Sequence, residues 1–315
     1  WLLCANSKGI NVWCAAGGGH LTDHDVIAVL RSSGVAERVV HRDLILPQLA
    51  ATGVERRRVA ERTGWRPRWG PARLEDLPAF LDRGRGVHKE ERFMRFPLWE
   101  RLEMGTMWAL PTATIAGVVL GLLGGWRLGV VVAVVVTAVI SAIFAAIARV
   151  PIWGSRRWWT FGGGAVGGFA LGAGLLALWG AASPFTLGLL GTACVVAMGV
   201  LSVDLAGTTP WWPSYVNTDA NRYDLELLED RCTGAAECVL VCPRDVLAMD
   251  GHRRKVAIVH GDACIRCGAC IVQCPEDALR FRFADGRVVE PETVRRTKLN
   301  LLGRRTVAVE GTRNL

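Results

Sequence analysis

Hydrophobic and polar positions divide this chain of 315 residues into three zones with different patterns. In the first zone, short apolar runs alternate with amphipathic segments, and this β-α-β-α order predicts a Rossmann-like α/β domain over residues 1–104. The pattern predicts strands at 10–13, 38–46 and 65–69, and helices at 54–63, at 74–81 and after a capping box at 22–25. Ligands of such domains bind beyond the carboxyl ends of the strands, and Cys14 directly follows the strand predicted at 10–13.

The second zone predicts a transmembrane domain over residues 105–207. Its four apolar segments lie at 106–126, 128–148, 160–181 and 185–206. Each has 21 or 22 residues, and about 20 are needed to cross a bilayer. Small residues at four-residue spacing in the third segment predict close packing on a neighbouring helix. These residues are Gly163, Gly164, Gly167, Gly168 and Gly172.

Basic residues near the apolar segments predict the orientation of the chain. One face carries Lys89, Arg92, Arg95, Arg101, Arg149, Arg156, Arg157 and Arg222, whereas the other face carries Arg127. Because cytoplasmic loops are enriched in Lys and Arg, both soluble zones are predicted on the cytoplasmic side of the inner membrane, with the lipid bilayer as a partner. These flanking residues also account for the formal net charge of +8, so we expect no nucleic-acid partner.

The third zone, residues 226–315 after a linker at 208–225, contains two cysteine runs. Cys264-x2-Cys267-x2-Cys270-x3-Cys274-Pro275 has the spacing of bacterial ferredoxins, in which three close thiolates bind one cluster and the fourth binds the other. The third close cysteine and the proline disfavour a zinc site. An upstream run, Cys232-x5-Cys238-x3-Cys242-Pro243, completes the pattern of an α+β ferredoxin domain with two clusters.

One ligand is missing from the upstream run, because its register puts Ala235 where the second cysteine would stand. The crossing rule therefore gives two groups of unequal size. The complete set, which we expect to bind a 4Fe-4S cluster, is Cys242, Cys264, Cys267 and Cys270. The incomplete set is Cys232, Cys238 and Cys274. For the incomplete set the sequence leaves open a 3Fe-4S cluster, a 4Fe-4S cluster with one non-protein ligand, or no cluster.

Another cysteine in a metal-ligand setting is Cys14, in the run Asn11-Val12-Trp13-Cys14-Ala15-Ala16-Gly17. The small residues after it leave room for a flat ligand, although a lone cysteine is ordinarily a small buried hydrophobic residue. The run resembles the cap-helix signature of the mercury-methylation corrinoid proteins, which are similar to the corrinoid subunit of the acetyl-CoA synthase system. The resemblance continues more loosely through 44–49, 69–71 and 77–81.

The resemblance implies that Cys14 is the lower axial ligand of the cobalt in a cobalamin, and that residues 11–17 contact this corrinoid. It covers the cysteine-rich zone as well, so the chain is similar to a fusion of the corrinoid protein with its partner ferredoxin. The implied function is methyl transfer from a donor such as a methylated folate or its methyltransferase. The iron-sulfur domain would take electrons from an external donor and reduce the corrinoid to Co(I). Mercury(II) is one candidate acceptor.

Three features depart from the family pattern. Gly18 stands where a lysine is usual, four apolar segments stand where five are usual, and residues 281–315 lack the cysteine pair that delivers the metal in the partner ferredoxin. Two other functions therefore remain open: a membrane-anchored ferredoxin whose corrinoid domain holds no cofactor, and a membrane sensor with a cluster as its redox switch. Because the chain begins at Trp1 inside an apolar run, we also expect the first domain to lack its start.

Overall fold

The structure is a computed structural model that describes residues 1–9, 11–84, 86–209, 211–212, 223–299 and 305–307. It divides into two compact units: Trp1–Arg95 with Val216–Leu315, and Phe96–Tyr215. We call residues 1–95 the amino-terminal module, residues 223–299 the cysteine-rich module, and Phe96–Tyr215 the helical unit. The two modules form one unit although the helical unit separates them in the sequence.

Among its described residues, the amino-terminal module contains one parallel pair of strands and five α-helices. The helices are α1 Val12–Gly17, α2 Asp23–Ser32, α3 Val35–Arg38, α4 Arg56–Thr63 and α5 Leu77–Arg83. Strands β1 (Asp43–Pro47) and β2 (Arg66–Gly70) are parallel, and a 3-10 turn, Gln48–Thr52, follows β1. A parallel pair needs a crossover connection, which this turn and α4 supply. The described residues thus contain one βαβ unit, and the Rossmann-like architecture of the whole domain stays a prediction.

The predicted strand at 10–13 is wrong, because Val12 and Trp13 form the first turn of helix α1. Asn11 is the N-cap of this helix, and its Oδ1 accepts a hydrogen bond from the backbone N–H of Cys14 at 2.9 Å. An asparagine cap stabilises a helix start, whereas an apolar run this short does not by itself distinguish a strand from a helix. Cys14 therefore lies on a helix and does not follow a strand.

Other local predictions in this module agree with the structure to within a few residues. The capping box is present, since the Thr22 backbone N–H donates to the Asp25 carboxylate at 2.8 Å. Helix α4 ends at Gly64, whose φ of +70° is a conformation that favours glycine. The strand predicted at 38–46 is shorter, because α3 extends to Arg38 and β1 begins at Asp43.

The described residues of the helical unit include four helices that are long and apolar enough to cross a membrane, which agrees with the predicted number. They are α6 Leu98–Gly124, α7 Trp126–Ala146, α8 Arg157–Leu178 and α9 Pro184–Asp204. Their shared core contains large side chains that are almost completely buried: Leu128, Ile140, Phe144, Phe161, Leu176, Leu190 and Leu201. Many apolar side chains also face outward, a pattern typical of helices that span a membrane. Examples are Ile115, Val118, Leu122, Leu178, Val195 and Val203.

Tryptophans mark both ends of this bundle. At one end the rings of Trp126 and Trp179 lie 5.9 Å apart, and Arg127 donates to the Trp179 carbonyl at 2.9 Å. At the other end Trp153 stacks on Trp212 with centroids 6.3 Å apart. Amphipathic aromatic rings are enriched where a helix leaves the bilayer. Their positions fit a bundle whose two ends lie in membrane–water interfaces.

Close helix packing in the bundle depends on particular glycines. A Cβ on Gly168 would lie 3.1 Å from a methyl of Val139 and 3.4 Å from the Cys194 sulfur, and Gly164 and Gly172 are similarly enclosed. Gly167 has open space at the same position. The predicted close face of α8 is therefore the face of Gly164, Gly168 and Gly172.

The cysteine-rich module is built from short antiparallel strands and small helices. Strand β3 (Tyr223–Leu227) pairs with β6 (Leu279–Phe283), which also pairs with β7 (Val288–Val289). A hairpin joins β4 (Leu247–Asp250) to β5 (Lys255–Ile258). The helices are α10 Glu237–Val241, α11 Ala269–Val272 and α12 Pro291–Arg296, followed by β8 Thr297–Leu299, which pairs with β9 Arg305–Val307. This α+β arrangement brings both cysteine runs to one core.

Candidate metal centres

The complete set of cysteines surrounds one small cavity. Cys242, Cys264, Cys267 and Cys270 all line it. Two of the sulfurs accept backbone hydrogen bonds: Val246 N–H donates to Cys242 Sγ at 3.3 Å, and Arg266 N–H donates to Cys264 Sγ at 3.4 Å. Hydrogen bonds to sulfur stabilise thiolates and tune iron-sulfur clusters. The structure thus brings together the four cysteines that the crossing rule grouped.

A second small cavity is lined by the incomplete set, Cys232, Cys238 and Cys274, and by Ala235. Ala278 N–H donates to Cys274 Sγ at 3.3 Å, and Val256 N–H lies 3.5 Å from Cys232 Sγ. The bond to Cys274 repeats the bond to Cys242 in the first cavity, since each donor lies four residues after its cysteine. Ala235, which the register of the run puts at the place of the missing cysteine, lines this cavity with the three sulfurs.

The donor set fits iron-sulfur clusters. Burial raises the pKa of the Cys238 thiol to about 12, and raises the pKa of Cys270 well above its ordinary value. Such thiolates require a bound cation for their stability. Among the described residues no three His, Cys, Asp or Glu side chains are placed to hold a single metal ion. A cluster, whose several iron atoms spread the ligands apart, suits these cysteines better than one zinc ion.

Cys14 lies exposed on α1, with its neighbours Ala15 and Ala16 buried beneath it. The helix rests on the 3-10 turn Gln48–Thr52, and Gly53 makes this approach possible. A Cβ on Gly53 would lie 2.1 Å from the Ala16 carbonyl oxygen, so no larger residue fits without movement of the backbone. The thiol therefore projects outward from a rigid, close-packed support.

Buried polar atoms near this support lack partners. His20, whose backbone N–H donates to the Ala15 carbonyl at 2.7 Å, has a buried Nδ1 without a hydrogen-bond partner among the residues that the structure describes. The same is true of Gln48 Oε1 and Trp69 Nε1 at the carboxyl ends of β1 and β2. A corrinoid carries amide side chains as well as cobalt. An accessible thiol, small neighbours and unpaired polar atoms fit such a ligand.

The two glutamines of the chain join the two modules. Gln273 is 8% exposed, and its Nε2 donates to the carbonyl oxygens of Ala51 and Val54, both at 2.8 Å. Its Oε1 accepts the backbone N–H of Arg56 at 3.2 Å. Gln48, 3% exposed, donates to the Leu240 carbonyl at 3.1 Å. Because Gln273 directly precedes Cys274, this network ties a cysteine run to the segment beneath α1.

Ion pairs surround these amides. They join Arg56 to Glu237, Glu55 to Arg295 at 3.1 Å, and Asp245 to Lys89 at 2.7 Å and to Arg92 at 3.6 Å. Burial raises the pKa of Glu55, and the charge of Arg295 opposes that shift. Pairs of this kind fix the orientation of the two modules more than they stabilise the fold, since solvent screens the exposed pairs. The modules are held in one arrangement by both polar and charged contacts.

An apolar cluster continues from one module into the other. Val241 and Ala269 of the cysteine-rich module belong to the same buried cluster as Ala15 and Ala16, and Cys267 packs against it. Cys267 is a member of the complete set. The complete set is therefore connected by packed side chains to the helix that carries Cys14.

Sequence reasoning missed the residues that form this interface. Glutamine is ordinarily a surface residue, and Gln273 contacts residues more than 200 positions away in the chain. The close contact between Gly53 and Ala16 could not be inferred from the sequence either, because it depends on how α1 packs. The one local signal was Asn11, whose preference for helix N-caps could have assigned α1.

Comparisons with known proteins give two partial matches. Residues 1–81 match the family described as CO dehydrogenase/acetyl-CoA synthase delta subunit, and residues 219–279 match the family described as 4Fe-4S dicluster domain. The chain is 30% identical over 83 residues to the acetyl-CoA decarbonylase/synthase complex subunit gamma of Archaeoglobus fulgidus. That alignment covers 26% of this chain and 17% of the relative. No solved structure matches.

These matches give a coarse description of the chain. It contains a segment related to acetyl-CoA synthase subunits, four helices that are able to span a membrane, and a 4Fe-4S ferredoxin domain. They do not single out mercury methylation.

Proposed function

We propose that this chain is a membrane-anchored corrinoid protein of methyl transfer, with its own iron-sulfur domain as the reducing partner. The observation that carries this proposal is the exposed thiol of Cys14, held on a helix that packs into the same apolar cluster as Cys267 of the complete set. The partial similarity of residues 1–81 to an acetyl-CoA synthase subunit family supports it.

In this proposal the thiolate of Cys14 would hold the cobalt of a corrinoid, and residues 11–17 would form the contact surface. A bound corrinoid supplies a cobalt centre that accepts and releases a methyl group. The protein contributes an accessible thiolate, the small side chains of Ala15 and Ala16, and polar atoms such as His20 Nδ1 that have no partner among the described residues. The close contact at Gly53 would hold the Cys14 helix in place beneath the ligand.

The cysteine-rich module acts as the electron donor in this proposal. Its complete set would hold a 4Fe-4S cluster, which would supply low-potential electrons, and the packed contact around Ala269 joins this set to the amino-terminal module. Because Gln273 and Gln48 hold the modules together, reduction requires no diffusional encounter between separate proteins. An external reductant supplies the electrons.

The four long helices anchor this unit in the inner membrane, with both modules on the cytoplasmic side. The contacts between the modules support that placement, because four crossings return the chain to the side from which it started. A methylated folate, or the methyltransferase that carries it, is the proposed methyl donor. Mercury(II) is a candidate acceptor, since a soft metal accepts a methyl group with its bonding electrons.

Metal content tests the proposal. Full-length protein is purified without oxygen from cobalamin-replete cells, and its cobalt, iron and visible spectrum are compared with those of Cys14→Ala and Cys4→Ala. Cys4 is also exposed and is therefore the matched control. We expect cobalt in the wild type and in Cys4→Ala, and an altered axial-ligand spectrum in Cys14→Ala.

Thiol labelling provides a readout independent of activity. In corrinoid-free protein, iodoacetamide is expected to alkylate both exposed thiols, Cys4 and Cys14. Added cobalamin should protect Cys14 and leave Cys4 reactive. Iron without cobalt, together with equal labelling of both thiols in the presence of cobalamin, would favour the alternative function of a membrane-anchored ferredoxin.

A further inference from the structure

The incomplete cysteine set retains the backbone of a cluster-binding loop. The two cysteine runs can be aligned as two copies of one motif, with Cys232 opposite Cys264. Three pairs of equivalent residues then have positive φ angles in both copies. The pairs are Gly234 at +77° with Arg266 at +55°, Ala236 at +60° with Gly268 at +80°, and Asp245 at +47° with Asp277 at +50°. A non-glycine residue in this region costs about 1 kcal/mol. Ala236 keeps the conformation in spite of that cost, so the surrounding structure enforces it.

One hydrogen bond to sulfur is retained as well. Val246 N–H donates to Cys242 Sγ, and the equivalent Ala278 N–H donates to Cys274 Sγ, both at 3.3 Å. A site that had lost its cluster would have no need for sulfur atoms gathered around a cavity with these donors. The one change in the ligand set is Ala235, which stands where Cys267 stands in the complete copy.

The two copies differ in access. Cys267 packs against the buried apolar cluster between the modules. Ala235 is exposed, and with Cys274 it lines both the small cavity and a wider open groove between α4 and the cysteine-rich module. The corner of the site that lacks a protein ligand is therefore the corner that small molecules reach.

We propose that Cys232, Cys238 and Cys274 bind a cubane cluster with one iron that no protein side chain ligates. This iron faces the groove at Ala235 and takes an exogenous ligand, water or hydroxide at rest and a low-molecular-weight thiolate when one is present. Release of the iron follows [4Fe-4S]2+ → [3Fe-4S]0 + Fe2+, which balances without an electron donor, and added Fe2+ reverses it. The proposal requires only the ferredoxin domain and is independent of the corrinoid.

The test uses the full chain in detergent, purified anaerobically, as wild type, Ala235→Cys and Ala235→Ser. Iron is counted before and after mild treatment with ferricyanide, which removes the unligated iron and oxidises the remaining 3Fe cluster by one electron. We expect the wild type to lose one iron per chain and to develop the electron paramagnetic resonance signal of a 3Fe-4S cluster. Ala235→Cys should retain that iron, because a fourth thiolate now binds it. Ala235→Ser should be intermediate.

Two further measurements keep the proposal decidable if Ala235→Cys fails to assemble. Fe2+ with dithionite should restore the lost iron in oxidised wild type, and 2-mercaptoethanol should change the spectrum of the restored cluster. The same thiol should leave Ala235→Cys unchanged where that variant folds. An iron content in the wild type that corresponds to a single cluster per chain would overturn the proposal. So would a second cluster that keeps all its iron under ferricyanide, because another side chain would then be its fourth ligand.

Discussion

Gln273 donates a 2.8 Å hydrogen bond from its side-chain Nε2 to the backbone carbonyl of Ala51, across the interface between the two modules. Ala51 belongs to the 3-10 turn on which the Cys14 helix rests, and Gln273 is the residue before Cys274. A single buried amide therefore connects the support of the proposed cobalt ligand with a proposed cluster ligand. This relationship can be tested without any assumption about substrate.

Replacement of Gln273 by leucine should loosen the contact between the modules. The change keeps the approximate volume but leaves two carbonyls and the Arg56 N–H without their partner, at a cost of about 2 kcal/mol. In full-length protein, hydrogen exchange followed by mass spectrometry should show faster exchange in residues 51–60 and in α11. The amide of Arg56 is a direct reporter, since Gln273 Oε1 accepts its hydrogen.

Asp285→Asn is the control for this variant. Asp285 lies in an exposed turn of the same module and bonds to Arg287, so its replacement should change stability by no more than about 0.5 kcal/mol. Unchanged exchange at residues 51–60 in Gln273→Leu would mean that the amide does not hold the modules together.

Reversal of the charges of Arg56 and Glu237 should reveal their coupling across the interface. Each side chain is partly exposed, 33% for Arg56 and 22% for Glu237, so solvent screening limits the coupling to about 1 kcal/mol. Arg56→Glu and Glu237→Arg should each lower the denaturant midpoint of the full chain. The double variant should recover part of the loss, and added salt should reduce the recovery.

The pair Arg57 and Glu61 provides the comparison for this cycle. It lies within α4 and is more exposed, at 68% and 58%, and such helix pairs contribute about 0.3–0.5 kcal/mol. Equal coupling energies in the two cycles would show that Arg56 and Glu237 are an ordinary surface pair. Iron content of each variant confirms that the cysteine-rich module is intact.

Substitution of Gly53 by alanine should displace the Cys14 helix. The new Cβ would meet the Ala16 carbonyl at 2.1 Å, and overpacking of this kind costs about 1–3 kcal/mol. Gly17→Ala is the matched control, because its nearest contact would be Thr52 Oγ1 at an ordinary 3.8 Å. Chemical denaturation of both variants provides the measurement. Equal stability would contradict the close contact between α1 and the turn at Gln48–Thr52.

The sequence predicted the parts of the fold that depend on local pattern. Four apolar runs of membrane-spanning length gave four helices, and the capping box at Thr22 appears as expected because its two residues are neighbours in the chain. The cysteine spacing placed an iron-sulfur domain where residues 219–279 match a 4Fe-4S dicluster family. Spacing is informative there, since a cluster fixes the distances between its ligands.

Features that depend on distant contacts were not predictable in this way. The pattern of residues 10–13 predicted a strand, but the side chain of Asn11 caps a helix there. A short apolar run does not by itself distinguish a strand from a helix. The docking of the cysteine-rich module rests on Gln48 and Gln273, whose partners lie far away in sequence. Neither residue type nor spacing distinguishes such a buried glutamine from one in solvent.

A leucine at Gly168 should destabilise the helical unit, whereas a leucine at Gly167 should not. The two positions are adjacent on α8, and leucine has a higher helix propensity than glycine at both, so the difference between the variants isolates packing. Gly168 is enclosed by Val135, Val139 and Cys194, with contacts of 3.1 to 3.4 Å to an added Cβ. A Cβ added at Gly167 would meet no described residue of another helix within 4 Å.

Thermal unfolding in detergent micelles measures this difference. We expect Gly168→Leu to cost about 1–3 kcal/mol relative to Gly167→Leu, because an added side chain forces α8 away from its neighbours. The expected order of stability of the two variants depends on which face of α8 packs against the other helices. A larger loss at Gly167 would mean that α8 presents the opposite face to the bundle, and the outward apolar surface would then have to be reassigned.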